Sequence, residues 1–445
     1  MQRRSTRLWA FPCALLLVAA AVLWWLEKAA SGPGAKPTAG RASAYPDPDD
    51  FNGDGFGDPV VWTRSGLTVL YGGANGPHAD VRTDVPASAS DALARPHPLR
   101  ADLDDDGFTD LLMATESGVV RVLWGGAEGL SRPVDLSLST TTNTGKTTTM
   151  AKTPPALGDF DGDGSTDLAR PGGATGPEVV WYKGPFDRSG RPAARREAAG
   201  PHSEEGVPYR VRAGDYGGDD TADLLLDFAT TDPESDDPSA PVVSGGTLLL
   251  GGEDGPSAAR SWAGARPLPR SASGTWSVVF GGYGDDRTLD VLRGGATDPV
   301  ATFHDLPGLA PGQLTDPGNR GGSTGDVDGD GRLDAVTGAY GANWWQGVVF
   351  EVRDVAHADR VNLRSIVTKD VGLPYDAKRT RPSSAQFAPH APLLDVNGDG
   401  RDDLVASTRG KNPQVVFVPG SAEGLDADGA HHFNLAGLLY PESTG

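Results

Sequence analysis

Apolar positions in this chain gather into short, β-rich runs, each closed by glycine. Leu67-Thr-Val-Leu-Tyr71, Val119-Val-Arg-Val-Leu-Trp124 and Gly246-Thr-Leu-Leu-Leu250 all run into Gly-Gly. Val179-Val-Trp-Tyr182 runs into Lys183-Gly184, and Val415-Val-Phe-Val418 into Pro-Gly-Ser. A second set begins on aspartate: Asp110-Leu-Leu-Met113, Asp167-Leu-Ala169, Asp334-Ala-Val-Thr337 and Asp403-Leu-Val-Ala406. Runs of this length, bounded by turn residues, predict strands. The order that recurs is strand, polar loop, strand, turn, strand, glycine turn and a variable outer strand. With 61 Gly and 36 Pro among 445 residues there is little room for long helices, so the expectation is all-β.

The polar loops between these strands repeat a nonapeptide, D-x-[DN]-x-D-G-x-x-D. Five copies fit it: Asp50/Asn52/Asp54/Asp58, Asp102/Asp104/Asp106/Asp110, Asp159/Asp161/Asp163/Asp167, Asp326/Asp328/Asp330/Asp334 and Asp395/Asn397/Asp399/Asp403. Two more are eroded. Asp215/Asp219/Asp223 lacks the third-position ligand, and the copy at 282–290 lacks the first and third. First positions are 52, 57, 56, 67, 44 and 69 residues apart, the period of an array of similar supersecondary units. The seven nonapeptides hold 27 of the chain's 60 acidic residues, a concentration that a generic solvated surface does not produce.

Side chains at positions 1, 3 and 5 of a tight loop point inward, a carbonyl near position 7 joins them, and position 9 closes the shell. The glycine at position 6 permits the sharp turn. All the donors are hard oxygens, the set that suits Ca²⁺, which takes 6–8 oxygens at about 2.3–2.6 Å. Without a cation the carboxylates would have to take up protons or spread apart. A single loop could equally be an Asp-rich turn without metal; five matching loops favour about five calcium sites. The loop at 215–223 would be a weak sixth site, and the one at 282–290 none. The spacing resembles the first half of an EF-hand without the glutamate at position 12 and without a following helix.

Charge and cysteine then narrow the class. A net charge of −21 argues against a nucleic-acid partner, which requires a basic face. The single Cys13 leaves the rest of the chain without disulfides or a thiol nucleophile. Residues 1–7 carry three arginines, and residues 8–26 are nineteen without a charge, ending near Trp24 and Trp25. That length and the paired tryptophans favour an uncleaved membrane anchor, while Ala29-Ala30-Ser31 offers a cleavage site for a secretory signal. Residues 27–45 read as a flexible Gly/Pro/Ala-rich linker. The chain therefore divides into 1–26 signal or transmembrane anchor, 27–45 linker and 46–445 repeat domain. The domain is placed outside the cell membrane, or secreted if the leader is cleaved.

Four strands in about fifty residues match one blade of a β-propeller. The loops and their flanks resemble FG-GAP/VCBS repeats, which form the seven-bladed propeller of integrin α-subunits and of many exported bacterial proteins. The resemblance covers about residues 46–445 and implies a seven-bladed β-propeller whose calcium loops join the first and second strands of each blade. It implies that ligands bind on the opposite face. Blade one has little sequence before Asp50 for its inner strand, so ring closure is expected to draw on the segment around Phe433–Leu439.

No catalytic constellation stands out. The eight histidines are scattered without metal-site spacing. Gly321-Gly-Ser323-Thr-Gly325 matches G-x-S-x-G but runs straight into the loop at Asp326, where a nucleophile elbow requires a helix. On the ligand face the family layout places Tyr340, Trp344 and Trp345, which could stack on sugars, anchor a protein or simply pack between blades. Arg409 and Lys411 would add positive charge there. The expected function is a monomeric, non-catalytic binding or adhesion module for an extracellular protein or glycan, touching the membrane only through its N-terminal helix. The alternative is a propeller-scaffold enzyme acting on polysaccharide, a glycosidase or lyase.

Overall fold

The computed structural model describes residues 49–63, 66–86, 98–115, 118–138, 155–172, 179–198, 207–214, 221–231, 241–258, 276–280, 289–294, 302–306, 322–331, 334–338, 348–353, 363–374, 386–387, 393–409 and 413–435. The N-terminal anchor and linker lie outside them, and no helix among the described residues is long and apolar enough to cross a membrane. The described elements are all strands, in seven antiparallel sheets. Sheet one is β1 (Val60–Thr63), β2 (Gly66–Leu70) and β3 (Arg82–Pro86). Sheet two is β4 (Leu99–Ala101), β5 (Asp110–Ala114), β6 (Val120–Leu123) and β7 (Val134–Asp135). Sheet three is β8 (Ala156–Gly158), β9 (Asp167–Pro171), β10 (Val179–Lys183) and β11 (Ala194–Ala198). Sheet four is β12 (Val207–Gly214), β13 (Asp223–Thr231), β14 (Pro241–Leu250) and β15 (Ser257–Ala258). Sheet five is β16 (Trp276–Phe280), β17 (Leu289–Gly294) and β18 (Thr302–Leu306). Sheet six is β19 (Gly322–Gly325), β20 (Asp334–Gly338), β21 (Val348–Val352) and β22 (Leu363–Val367). Sheet seven is β23 (Gln386–Phe387), β24 (Leu393–Leu394), β25 (Asp403–Arg409), β26 (Val415–Val418) and β27 (His431–Phe433). In the first six sheets the strands follow one another in chain order, and in sheet seven β23 and β24 both pair with β25, which continues to β26 and β27.

The continuous apolar runs have a simple cause. Side chains alternate across a strand, and here both faces of the inner strands are covered by neighbouring sheets. In β10, Val179 and Trp181 pack toward sheet four while Val180 and Tyr182 pack toward sheet two. In β5, Leu111 and Met113 face sheet one and Leu112 faces sheet three. In β26, Val416 and Val418 face sheet six, and Val415 and Phe417 face sheet one. Each such buried side chain contributes roughly 1.5–3 kcal/mol. The hydrophobic cores therefore lie between sheets.

Successive sheets are also stitched by backbone hydrogen bonds from loop to loop. The carbonyl at the second loop position accepts an N–H from the glycine turn of the next sheet: Gly126 to Phe51 (3.2 Å), Phe186 to Leu103 (2.8 Å) and Gly252 to Phe160 (3.1 Å). The first-position carbonyl accepts the N–H at the eighth position of the next loop, Ala222 to Asp159 (2.8 Å) and Asp402 to Asp326 (2.8 Å). Sheet seven makes both contacts with sheet one, through Gly73 to Val396 (3.0 Å) and Gly57 to Asp395 (2.6 Å). The last sheet thus meets the first by the same kinds of bond that join sheets one to four in turn and sheet six to sheet seven. The C-terminal segment serves this seam as the outer strand β27 of its own sheet and through Leu435, which is buried with Val61 and Leu70.

Candidate metal centres

Four of the intact nonapeptides sit where the sequence places them, between two consecutive strands of a sheet: 102–110 joins β4 to β5, 159–167 joins β8 to β9, 326–334 joins β19 to β20 and 395–403 joins β24 to β25, while 50–58 leads into β1 with no described strand before it. The loop is wound around its first aspartate. The Asp159 carboxylate accepts N–H bonds from Gly162 (2.8 Å), Asp163 (3.1 Å) and Gly164 (2.8 Å), and Asp50, Asp326 and Asp395 collect the corresponding three. Winding this tight puts position 4 as well as position 6 in the left-handed region, at φ 71° for Gly162 and 89° for Gly164. Only position 6 was evident as a requirement from the sequence. Position 4 is glycine in four of the five intact loops, and Asp105 adopts φ 56° in the fifth. The fifth position accepts from the seventh, as in Ser165 N–H to Asp163 (2.9 Å).

Position 9 does more than the spacing suggests. Its aspartate is buried in every described loop, and in Asp58, Asp110, Asp167 and Asp403 both oxygens accept backbone N–H groups. Asp110 takes Leu103 (2.8 Å) and Gly125 (2.7 Å), Asp167 takes Phe160 (3.1 Å) and Gly184 (2.8 Å), and Asp403 takes Val396 (3.0 Å) and Gly420 (2.8 Å). One carboxylate thereby ties the start of the loop to the glycine turn ending the third strand. The eroded loop keeps the bond to the glycine turn: Asp223 is buried and accepts Gly251 N–H at 2.8 Å. Its Asp215 and Asp219 lie outside the described residues. Burial pushes the Asp110 carboxyl up to about 8 and those of Asp167 and Asp403 to about 7, against the lowering effect of the two N–H donors. Asp58 is likewise pushed well up by burial.

Positions 1, 3 and 9 converge. Carboxylate oxygens of Asp102, Asp104 and Asp110 lie within 4.8 Å of one another, as do those of Asp159, Asp161 and Asp167 and those of Asp326, Asp328 and Asp334. Any of these clusters could hold a metal ion. Oδ1 of Asp104 and Oδ1 of Asp161 are buried without a hydrogen-bond partner, which is costly unless something else satisfies them. Burial and the neighbouring Asp106 charge push Asp104 up to about 6, against the pull of Arg188. Hard oxygens around an unsatisfied, charge-crowded centre are the donor set of a hard divalent cation.

In these loops the fifth-position carboxylate takes other partners. Asp163 bonds Lys183 (2.7 Å), and Asp106 bonds Arg188. Asp330 is exposed and is not one of the three carboxylates that meet in its loop, Asp326, Asp328 and Asp334. It turns its backbone N–H inward instead, donating to Asp326 at 3.1 Å and to Asp328 at 3.3 Å. In the two asparagine loops, Asp54 accepts from Asn52 at 3.0 Å and Asp399 from Asn397 at 3.4 Å. The physical reason is the winding around the first aspartate: the fifth N–H is drawn to the first carboxylate, and the fifth side chain is left nearer the loop's solvent edge. Lys183 and Arg188 went unnoticed in the sequence because they lie at the glycine turn of sheet three and just beyond it, far from the loops in number. The one available signal is that Lys183 immediately precedes Gly184, whose N–H binds Asp167.

Residues 102–170 match the model of an FG-GAP-like repeat. The chain carries an FG-GAP repeat. That repeat spans two complete loops, 102–110 and 159–167, with strands β5 to β8 and most of β9. No curated protein matches the chain in sequence. Among solved structures it is similar to BBS1N in complex with ARL6DN, at 13% identity over 74% of this chain and 80% of that one, with a TM-score of 0.38. It is also similar to AofleA from Arthrobotrys oligospora (10%, covering 89% and 94%, TM-score 0.37) and to the Dos1 propeller (8%, covering 86% and 92%, TM-score 0.34).

The other sequence-derived positions are not brought into a site. Tyr340, Trp344, Trp345 and Lys411 lie outside the described residues, and Arg409 is the last residue of β25, paired in register with Gln386. Ser323 lies within β19, a strand running directly into the acidic loop at Asp326, with no elbow.

Proposed function

We propose that the chain is a seven-bladed β-propeller braced by Ca²⁺ in its FG-GAP-type loops and acting as a non-catalytic binding module for an extracellular protein or glycan. The observation that carries the metal is the pair of buried, unpartnered oxygens on Asp104 and Asp161. Positions 1, 3 and 9 would hold the ion, with position 5 completing the shell by turning its carboxylate inward, in loops 102–110 and 159–167 once the basic partner moves aside. The ion would supply the positive charge these carboxylates lack. The loop itself fixes the first aspartate through backbone N–H bonds and position 9 through two more, so these donors are oriented before any ion arrives. Seven sheets with a last-to-first contact support the ring, and the charged N-terminus followed by nineteen uncharged residues supports placement outside the membrane.

Calcium sites on this reading are structural. The ligand face is the opposite one, with Tyr340, Trp344, Trp345, Arg409 and Lys411 as its candidate contacts. The test has two arms. Unfolding in calcium and in chelator should differ strongly, because an ion binding only the folded state stabilises it by about 2.7 kcal/mol per site at a hundredfold excess over Kd. Identical midpoints would end the metal reading. A glycan array and a panel of cell-surface proteins, probed in calcium, should give ligands lost in the Trp344→Ala/Trp345→Ala variant. Release of reducing ends from a polysaccharide would overturn the non-catalytic assignment.

A further inference from the structure

The five intact loops are of two kinds, and the difference is not only in the loops. Asp104, Asp161 and Asp328 occupy the third position in three of them, and Asn52 and Asn397 in the other two. Wherever the third position is aspartate, a basic side chain from outside the loop stands on it. Arg188 Nε donates to Asp104 Oδ2 at 2.7 Å, and its Nη2 to Asp106. Lys183 Nζ donates to Asp161 and, at 2.7 Å, to Asp163. Arg353 lies 3.5 Å from Asp328. Where it is asparagine, the side-chain amide fills that role from within: Asn52 Nδ2 donates to Asp54 at 3.0 Å and Asn397 Nδ2 to Asp399 at 3.4 Å. Arg401, a residue of loop 395–403 itself, lies 3.8 Å from Asp399. Counting positions 1, 3, 5 and 9, four carboxylates with one tethered cation carry the same formal charge as three carboxylates with an amide.

We propose that Lys183 and Arg188 are tethered counter-cations that set the order of metal loading, so that loops 159–167 and 102–110 fill after the asparagine loops 50–58 and 395–403. This rests on the calcium reading above. The two cations grip the outer oxygen of the third position and the fifth-position carboxylate, leaving the inner oxygen, Oδ1 of Asp161 or Asp104, as the orphan. A dication on that inner oxygen would sit a few ångströms from a fixed positive charge, while the fifth-position carboxylate is already engaged. To complete the shell, Lys183 or Arg188 must leave. Both can, since their side chains are 27% and 52% exposed and end at solvent. In the asparagine loops the third position carries no charge for such a cation to pair with. In the metal-free protein the same cations hold the two loops in shape.

The experiment is calcium titration of the purified protein by calorimetry, with Tb³⁺ luminescence as a second probe, on wild type, Lys183→Met, Arg188→Met and Lys183→Arg. The wild type should show a tight class of sites and a weaker one. Lys183→Met and Arg188→Met should each move one site from the weaker class to the tight one. Repulsion between a single and a double charge about 5 Å apart implies a gain of roughly tenfold or more. Lys183→Arg should titrate as wild type. In chelator the Met variants should unfold at a lower midpoint than wild type, and in saturating calcium at the same midpoint or higher. Unchanged or weakened calcium affinity in both Met variants would overturn the proposal while leaving calcium binding itself intact. Wild-type protein that takes up no calcium would remove the calcium reading and this inference with it.

Discussion

The buried aspartate at position 9 should stabilise the protein whether or not metal is bound, and Asp403→Ala isolates that contribution. Asp403 is buried among sheet seven's own backbone, accepting Val396 N–H at 3.0 Å and Gly420 N–H at 2.8 Å. Alanine leaves both donors buried with no partner, and each orphaned donor costs about 1–3 kcal/mol. Removing a carboxylate whose pKa is already pushed up to about 7 by burial returns part of that. A net loss of about 2–4 kcal/mol follows from these terms. The assay is urea unfolding at pH 7.5 in chelator, where no ligand role can contribute. A companion, Asp223→Ala, makes the same break in a loop whose third-position ligand is already missing, and should lose a similar amount with and without calcium. If Asp403→Ala matches wild type in chelator and differs only in calcium, position 9 is purely a metal ligand and the reasoning fails.

Three further outcomes follow from the same geometry. Gly255 has φ 87° and its missing Cβ would run into the Trp181 indole, whereas Gly372 has φ 77° with nothing within 4 Å; Gly255→Ala should cost clearly more than the roughly 1 kcal/mol expected for Gly372→Ala, by denaturant midpoint. Phe160, wholly buried between sheets three and four, should cost about 3–5 kcal/mol when replaced by alanine, read the same way. For pH, the folded-state values of Asp110, Asp167 and Asp403, about 8, 7 and 7, lie above the ordinary carboxylate value, so the folded metal-free protein binds more protons than the unfolded chain. Its stability should therefore fall as pH rises from about 4 to about 8, and calcium should bind more tightly over the upper part of that range. Chelated unfolding midpoints at pH 5 and pH 8, with calcium titrations at pH 6 and pH 8, check both signs.

Much of this architecture was legible because its determinants are local. The nonapeptide, the glycine closing each apolar run and the position of the loop between two strands all sit within a few residues of one another, and loops 102–110, 159–167, 326–334 and 395–403 appear in the structure where the pattern puts them. The apolar runs without alternation were legible as strands, but the reason for them, a covered surface on both sides, belongs to the neighbouring sheets. The inward backbone N–H of position 5, as at Asp330, was not legible, because spacing alone does not say which backbone groups face the first carboxylate. The second role of Asp110, Asp167 and Asp403 was hidden by distance: Gly125, Gly184 and Gly420 are 15 to 17 residues away and reach the carboxylate only after the sheet has formed. Arg188 was further out of reach, 84 residues from Asp104 in the chain and bonded to it only because sheet three lies beside sheet two.

The seam between the last sheet and the first carries one more consequence. It uses the bonds from Gly57 to Asp395 and from Gly73 to Val396, which are of the kind found between consecutive sheets, and no strand of sheet one is contributed by residues 413–435. A circular permutant that joins Leu435 to Asp49 through a linker and opens between sheets two and three should therefore keep this seam, because the bonds from Gly57 and Gly73 run between loops and do not depend on where the backbone is joined.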